Sequence, residues 1–361
     1  FTLGLDLGIV MAKGVVLGVL CCVTVLPAMI LTFDGALEKT RHRALIPKFD
    51  KMGTFATRKF PIFLVLFVVI LIPAVYGYRN TNVYYDLAGT LPADLESVQA
   101  NNKLEEDFNM GATHIILASS DLSHKDASNM IDEINDLDGV AVALGKDAIL
   151  GPAVPQEMLP ADVKDMLDNG KLQMIGEAPC TEDLITITDK DFKTVSAVSI
   201  ILVFLIIAIS LKSISIPVIL VAVIEFGIFI NMGIPHYTGS VLPFIASIVI
   251  GTIQLGATVD YAILTTNKYK RARNSGAGKQ EAIETAMHSC LPSVFVSALS
   301  FFAATFGVGV YSSIDMISSL CILLARGAII SFFVVAFILP AMFMVFDRVI
   351  IKTSMGFTVK K

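Results

Sequence analysis

The feature that most constrains this chain is a series of long apolar segments that contain very few charged residues. Each approaches or exceeds the about 20 residues that an α-helix needs to cross a bilayer. There are seven: Phe1–Phe33, Phe60–Tyr78, Val195–Leu211, Ile216–Gly233, Val241–Thr265, Leu291–Val310 and Ile317–Phe346. Of the 361 residues 55% are hydrophobic and only 16% are charged, which is too apolar for a soluble protein. The sequence therefore predicts a polytopic α-helical membrane protein with about seven spans.

Basic residues in the loops predict the orientation of these spans. Lys and Arg concentrate between residues 35 and 59, after the first segment, and between residues 268 and 279, after the fifth. Because cytoplasmic loops retain positive charge, we expect both loops in the cytoplasm. Alternation then places the C-terminal tail in the cytoplasm as well. The expected location is the cytoplasmic (cell) membrane, with multiple passes.

The long polar region between the second and third segments is predicted to lie outside the membrane, on the extracytoplasmic side. Acidic residues strongly outnumber basic ones there. Two helical stretches, Leu95–Phe108 and His124–Leu137, alternate with short strand-like runs. The strand-like runs are Thr113–Ala118, Val140–Leu144 and Leu172–Gly176. This alternation predicts a small α+β domain.

The expected division of the chain follows from these segments. It comprises a transmembrane helix (1–34), a cytoplasmic basic connector (35–59), a transmembrane helix (60–78), the extracytoplasmic domain (79–192), a five-helix bundle (193–346) and a cytoplasmic tail (347–361). Within the bundle, Ser275–Cys290 predicts an amphipathic cytoplasmic connector. The chain opens at Phe1, part-way into a hydrophobic segment, so we expect a fragment that lacks its true N-terminus.

An internal repeat relates the first and last apolar segments. Leu7–Asp34 aligns without gaps to Leu320–Asp347. The matched blocks are Ala12-Lys13-Gly14 with Ala325-Arg326-Gly327, Leu26-Pro27-Ala28-Met29 with Leu339-Pro340-Ala341-Met342, and Phe33-Asp34 with Phe346-Asp347. Repeated halves are typical of secondary transporters. We expect Lys13 and Arg326 to reach a membrane interface or to pair with an acid.

The strongest candidate for chemistry is Asp260, an acid inside the fifth apolar segment. An ionised carboxylate is costly there, so a carboxyl at this place suits the loading and release of protons. Tyr261 and Thr258 add polar atoms nearby, and Gly256 permits close helix contact. The alternative is that Asp260 lies near the cytoplasmic end and meets headgroups or Lys268.

Four further residues are weaker candidates. Glu225, the other acid in an apolar run, could line a pathway together with Asn231, or could simply bond to a neighbouring helix. Ser297 and Ser300 could face Asp260 and supply hydroxyls to a proton path. Serine hydroxyls also bond to their own helix backbone, which is the structural alternative.

No signature of an enzyme is present in the sequence. It contains no Walker A sequence, no zinc-binding spacing and no nucleophile elbow. It also carries no basic footprint for nucleic acid. We therefore expect no catalysis, no metal and no cofactor, with a proton gradient as the energy source.

The Gly256-Ala-Thr-Val-Asp260-Tyr261 motif, the basic loop behind it, the amphipathic connector and the repeated helix together resemble the MmpL-like branch of the resistance-nodulation-division (RND) transporters. The resemblance covers nearly the whole chain. It implies that Phe1–Phe33 is span six and that Phe60–Phe346 carries spans seven to twelve. Residues 79–192 would be the porter domain, which is short for the family and expected to lack residues near 173–174. Asp260 and Tyr261 would be the pair that faces an equivalent pair on span four, which this chain lacks.

The resemblance also implies export of lipids, lipopeptides or drugs across the cytoplasmic membrane, driven by the proton-motive force. The implied partners are membrane lipids, hydrophobic cargo, the N-terminal half of the same transporter, and a further copy or accessory membrane proteins. The scaffold also resembles sterol-sensing and protein-export relatives. Two alternatives therefore stay open: a non-transporting sterol or lipid sensor, and an auxiliary motor for protein secretion.

Overall fold

The computed structural model describes residues 2–40, 49–85, 94–108, 114–117, 123–137, 140, 142–144 and 173–357. Seven helical segments in these ranges are long and apolar enough to cross a membrane. They are Gly8–Lys39, Phe60–Arg79, Cys180–Leu211, Ser215–Thr238, Phe244–Asn274, Lys279–Tyr311 and Asp315–Thr353. Each overlaps one of the seven predicted segments, so the prediction of a polytopic helical membrane protein is confirmed.

The chain forms two compact units, and the first, Phe1–Lys48, is a pair of consecutive helices. Helix α1 spans Thr2–Val23 and α2 spans Val25–Lys39. They are separated at Thr24, whose hydroxyl donates to the carbonyl of Leu20 at 2.6 Å. Threonine that bonds back to the preceding turn often bends a helix. This unit contains the first copy of the repeat.

The second unit, Phe49–Lys361, contains the other elements. Its helices are α3 (Asp50–Arg58), α4 (Phe60–Arg79), α5 (Glu96–Phe108), α6 (His124–Asn135), α7 (Glu177–Leu211), α8 (Ser215–Thr238), α9 (Phe244–Asn274), α10 (Lys279–Tyr311), α11 (Asp315–Phe333) and α12 (Leu339–Thr353). Its strands are β1 (Val83–Tyr84), β2 (His114–Leu117), β3 (Gln173–Gly176) and β4 (Leu242–Pro243). A π-helical turn, Val334–Ile338, joins α11 to α12.

Helices α4 and α7–α12 form the bundle, whose two ends are named here by their contacts. At one end β1 pairs in parallel with β4, with Val83 opposite Leu242. We call this the β1–β4 end. Helix α12 finishes at the other end, which we call the Asp347 end. Isoleucine, leucine, phenylalanine and alanine side chains fill the core between the helices.

The predicted extracytoplasmic region is described in part. Strand β2 pairs antiparallel with β3, so that His114 lies opposite Gly176. The Ser123 hydroxyl accepts a hydrogen bond from the backbone N–H of Asp126 at 3.2 Å, which caps α6. No strand forms at Val140 or at residues 142–144, the described part of the third strand-like run. Residues 145–172, which border the expected gap near 173–174, lie outside the described residues.

Two expected boundaries fall inside continuous helices. Helix α7 already begins at Glu177, so the boundary expected after residue 192 lies within it. No glycine interrupts α7, and Pro179 lies in the first turn, where proline is tolerated. Likewise, most of the expected connector Ser275–Cys290 is the first part of α10 rather than a separate helix. Its apolar side chains do share one buried face, namely Ala282, Ile283, Ala286, Met287 and Cys290.

Two glycines bring the backbones of α4 and α8 into contact near the β1–β4 end. A Cβ atom added to Gly77 would lie 2.7 Å from the carbonyl oxygen of Gly233. One added to Gly233 would lie 2.7 Å from the carbonyl oxygen of Ala74. The Thr81 hydroxyl donates to the carbonyl of Met232 at 2.9 Å. Small residues allow close helix packing in membranes, so α4 and α8 form a tight pair.

We predict that Gly233→Ala lowers stability by about 1–3 kcal/mol, because the new methyl group must push two backbones apart. Gly307→Ala in α10 is the matched control, since a Cβ there meets nothing within 4 Å. That change should be neutral or stabilising by up to about 1 kcal/mol. Unfolding of each purified variant by titration with sodium dodecyl sulfate measures the difference. Equal stabilities for the two variants would contradict the backbone contact.

Candidate functional site

Asp260 lies on a stripe of exposed residues along α9. The stripe contains Gly256, Asp260, Leu264 and Asn267, which share one side of the helix at spacings of four, four and three. Asp260 makes no hydrogen bond or ion pair with any residue in the described ranges, and the alternative contact with Lys268 does not occur there. The neighbouring Tyr261 is 8% exposed and packs into the bundle core. The predicted pair therefore straddles the edge between the core and an uncovered face.

Three other predicted residues do not form the contacts expected of them in the described part of the chain. Ser297 and Ser300 are exposed on α10, and neither hydroxyl bonds to Asp260. A Cβ placed on Gly256 meets nothing within 4 Å, so the expected close helix contact is not made by a described helix. Their assignment to a proton path stays a prediction.

The opposite, buried face of α9 carries a hydrogen-bonded polar network. The Thr258 hydroxyl donates to the Ser331 hydroxyl of α11 at 2.7 Å, and the Gln254 amide donates to the same oxygen at 3.3 Å. Gln254 in turn accepts from the Asn231 amide of α8 at 2.9 Å. All four side chains are at most 3% exposed. Because each polar group is satisfied, the network fixes α8, α9 and α11 relative to one another.

Arg326 completes this network through a carbonyl that a proline has left free. Pro235, four residues after Asn231 in α8, has no N–H to donate to the Asn231 carbonyl. The Arg326 guanidinium takes that place at 2.6 Å and also donates to the Asn231 side-chain oxygen at 2.8 Å. We call Arg326, Asn231, Gln254, Ser331 and Thr258 the Arg326 network.

One expectation about the repeat is answered at this network. Arg326 does not pair with an acid among the described residues, and its Nε and Nη2 groups donate instead to two neutral oxygens of Asn231. Gly327 has a steric role. A Cβ there would lie 2.8 Å from both the Asn231 nitrogen and the Gln254 oxygen. In this block of the repeat Arg326 therefore supplies a cation, and Gly327 leaves space for the side-chain amides of Asn231 and Gln254.

Glu225 and Asn231 have different environments. Asn231 is fully buried in the Arg326 network, whereas Glu225 lines a cavity of about 150 Å³ between α4, α7, α8 and α9. The Glu225 carboxylate makes no hydrogen bond or ion pair with the residues that the structure describes. Within those residues no cluster of three or more His, Cys, Asp and Glu side chains could hold a metal ion.

The two membrane acids lie at equal depth in the bundle. Helices α8 and α9 run antiparallel, and the Asn231–Gln254 hydrogen bond marks one level on both. Glu225 comes six residues before Asn231, and Asp260 six residues after Gln254. At 1.5 Å per residue both acids lie about 9 Å from that level, toward the Asp347 end. Asp260 faces outward at this depth and Glu225 faces the cavity.

A second polar cluster secures α9 at the Asp347 end. Asp347 of α12 forms an ion pair with Arg273 of α9, with an Nη2–Oδ2 distance of 3.0 Å and an Nε–Oδ1 distance of 3.1 Å. The Tyr269 hydroxyl also donates to Asp347. The two charged side chains are 11% and 8% exposed, which makes this a buried pair. It holds the ends of α9 and α12 together.

Sequence reasoning missed several of these residues. Ser331 and the ion pair Arg273–Asp347 carry no recognisable motif, although Asp347 belongs to the repeat. One signal could have identified the Arg326 network: Pro235 follows Asn231 by four residues and must free its carbonyl. The aromatic lining beside Glu225 comes from three helices that are distant in sequence, so no local pattern indicates it.

The proline interpretation predicts a specific coupling between Arg326 and Pro235. Arg326→Met should lower the free energy of unfolding by about 1–3 kcal/mol, because two oxygens of Asn231 lose their donor. Pro235→Ala restores a backbone N–H, so the same Arg326→Met change should cost less in that background. A double-mutant cycle by detergent unfolding measures this coupling. Additive effects would contradict the assignment, and Arg348→Met on the exposed side of α12 serves as the control.

The buried ion pair at the Asp347 end predicts a larger loss of stability than the one expected for Arg326→Met. Asp347→Asn removes the counter-ion of Arg273 and should lower stability by about 3 kcal/mol. Asp315→Asn, at the exposed start of α11, removes an acid from the same apolar span and should have little effect. The midpoints of thermal unfolding of the purified variants compare the two. A small effect of Asp347→Asn would show that Arg273 is solvated rather than buried.

Comparison with known proteins agrees with this architecture. The family model of the MMPL family matches residues 160–355, which is more than half of the chain. The match includes the described bundle from α7 to α12 and all the candidate residues. Comparison with curated proteins gives no match. The seven membrane-spanning segments and the family match lead to one conclusion: the chain belongs to the MMPL family.

Proposed function

We propose that this chain is part of a proton-motive-force-driven exporter of hydrophobic or amphipathic molecules across the cytoplasmic membrane. Members of the MMPL family are transporters, which supports transport of lipids or other hydrophobic substrates. In this proposal Asp260 and Tyr261 form the proton site, and Gly256, Thr258, Ser297 and Ser300 support the relay. The energy source is the proton gradient, and no cofactor takes part.

The observation that carries the proposal is the placement of Asp260. It projects from the exposed side of a membrane helix and has no partner among the described residues. A carboxylate in that position is costly within a membrane unless another protein surface or water meets it. The N-terminal half of the transporter would supply that surface. The exposed stripe from Gly256 to Asn267 is where it would pack.

Proton binding can change the arrangement of helices through this site. Protonation removes the charge of Asp260 and therefore alters the free energy of holding it against a neighbouring helix. The Arg326 network and the Asp347 ion pair join the rest of α9 to α8, α11 and α12. A change at Asp260 is then passed on by movement of α9 together with these helices rather than by local bending. The porter domain, residues 79–192, would move cargo in response.

The proposal predicts that Asp260→Asn abolishes gradient-driven transport while the protein still folds and inserts. The protein is reconstituted into liposomes that contain pyranine, and an imposed pH gradient is used to drive a fluorescent lipid analogue. The variant should match protein-free liposomes in both proton flux and movement of the analogue. Asp315→Asn is the control and should behave as the unmodified protein does. Normal transport by Asp260→Asn would refute the proposal.

Lipid-binding and crosslinking measurements separate the two alternatives from the exporter. A sterol or lipid sensor should bind lipid without a pH gradient and move none. An auxiliary secretion motor should form crosslinks between residues 79–192 and translocating chains. No feature of the described structure favours either alternative over the exporter.

A further inference from the structure

The cavity beside Glu225 has the chemistry of a site for an organic cation. Glu225 is the one charged residue in its lining. The carboxylate has no partner in the described part of the chain, so a ligand can reach it. An ionised carboxylate within a membrane needs a counter-charge, and such residues mark substrate pathways. The sign of the charge favours a cationic ligand over an anionic one.

Aromatic rings add to this preference. Tyr78, Phe192 and Phe229 come from three different helices and all line the cavity. The ring centroids of Tyr78 and Phe229 are 5.3 Å apart, and those of Tyr78 and Phe192 are 6.3 Å apart. Clustered aromatic rings bind quaternary ammonium groups through cation–π interactions. The combination of such rings with a carboxylate is suited to an ammonium ligand.

Two of the hydroxyls in the lining, those of Ser247 and Thr252, present acceptors to a ligand. Ser247 donates to the carbonyl of Phe244, and Thr252 donates to the carbonyls of Ile248 and Val249. Because their hydrogens are used within α9, their oxygens offer only lone pairs to a ligand. A ligand with N–H or polarised C–H donors satisfies these two oxygens.

The volume limits how much of a ligand can enter. The cavity volume of about 150 Å³ is below the about 300–1,000 Å³ of pockets that enclose a drug-sized ligand. It can accept a headgroup, while an attached hydrocarbon chain stays outside among lipid tails. The lining runs from the middle of α8 toward the β1–β4 end, which charge counting places on the extracytoplasmic side.

We propose that this cavity binds the ammonium headgroup of an amphiphile, with Glu225 as counter-ion and Tyr78, Phe192 and Phe229 as its aromatic walls. The role of this compound as cargo rests on the proposed transport function, but its binding does not. An ammonium group could belong to a membrane lipid or to a free lipophilic amine. Both present the same chemistry to the site.

Binding of radiolabelled dodecyltrimethylammonium to the purified protein tests the proposal. The protein is placed in phosphatidylglycerol nanodiscs, which contain no competing amine, and binding to empty nanodiscs is subtracted. Glu225→Gln should weaken binding roughly tenfold or more, and Phe229→Leu should weaken it several-fold. Glu225→Asp keeps the charge and should retain most of the affinity. Asp315→Asn, away from the cavity, should leave it unchanged.

Competition distinguishes the chemistry and the source of the ligand. Dodecanol should compete poorly, and equal competition by dodecanol would overturn the proposal. Unchanged affinity in Glu225→Gln would also overturn it. Choline, compared with its uncharged isostere 3,3-dimethylbutanol, tests a free cation. Competition by choline indicates a soluble amine, whereas competition by long-chain ammonium compounds alone indicates a lipid headgroup, and both outcomes support the site.

The binding measurement is independent of the exporter proposal. It needs no pH gradient, and Asp260→Asn should leave the affinity for dodecyltrimethylammonium unchanged. Binding without gradient-driven transport would leave the cation site in place and refute the exporter. Transport that depends on Asp260 without ammonium-selective binding would support the exporter and refute the cation site.

Discussion

Arg326 donates two hydrogen bonds to Asn231, and one of them ends on a backbone carbonyl that Pro235 has deprived of its normal donor. A free carbonyl and an arginine are each costly inside a membrane, but here each satisfies the other. Their contact sets the level at which α8 and α11 cross. Gln254 then joins α9 to the same level through the Asn231 amide.

Helix α9 is consequently held on its buried side and at the Asp347 end, while the residues of the face that carries Asp260 are exposed. Thr258 and Gln254 bond inward, and Arg273 pairs with Asp347 near the other end. The candidate proton residue lies between these two fixed points. Rigid support of this kind keeps a functional carboxyl in one position relative to its surroundings. It also leaves the surface beside Asp260 available for a second protein segment.

The sequence predicted the membrane architecture well, because each apolar segment must be long enough to cross the bilayer. Asp260 and Glu225 were recognisable for the same reason, since acids are rare in such segments. Helix boundaries were less predictable: charged residues do not stop a helix, so α7 and α10 extend beyond the membrane-length segments. Of the two expectations for Arg326, pairing with an acid was wrong, because a carbonyl freed by a proline accepts its hydrogen bond instead; reaching a membrane interface stays a prediction. Whether Asp260 carries protons stays a prediction.

The second copy of the repeat shows which contacts its matched residues make. Arg326 donates to the Asn231 side chain of one neighbouring helix, and the missing side chain of Gly327 leaves room for the amides of Asn231 and Gln254. Lys13 and Gly14 occupy the matched positions of the first copy. Lysine presents a point charge rather than a planar fork, so it cannot bind two oxygens of one residue in the same way. The two copies therefore need not hold their neighbours with equal strength.

The glycine contact between α4 and α8 limits how this half of the bundle can deform. Two helices can slide past each other only if the side chains between them repack. At Gly77 and Gly233 the backbones are in contact, so no side chains lie between them that could repack. The two helices must therefore move together as one rigid unit. Since α4 leads directly into β1, any tilt of α8 displaces the first residues of the polar region by a comparable amount.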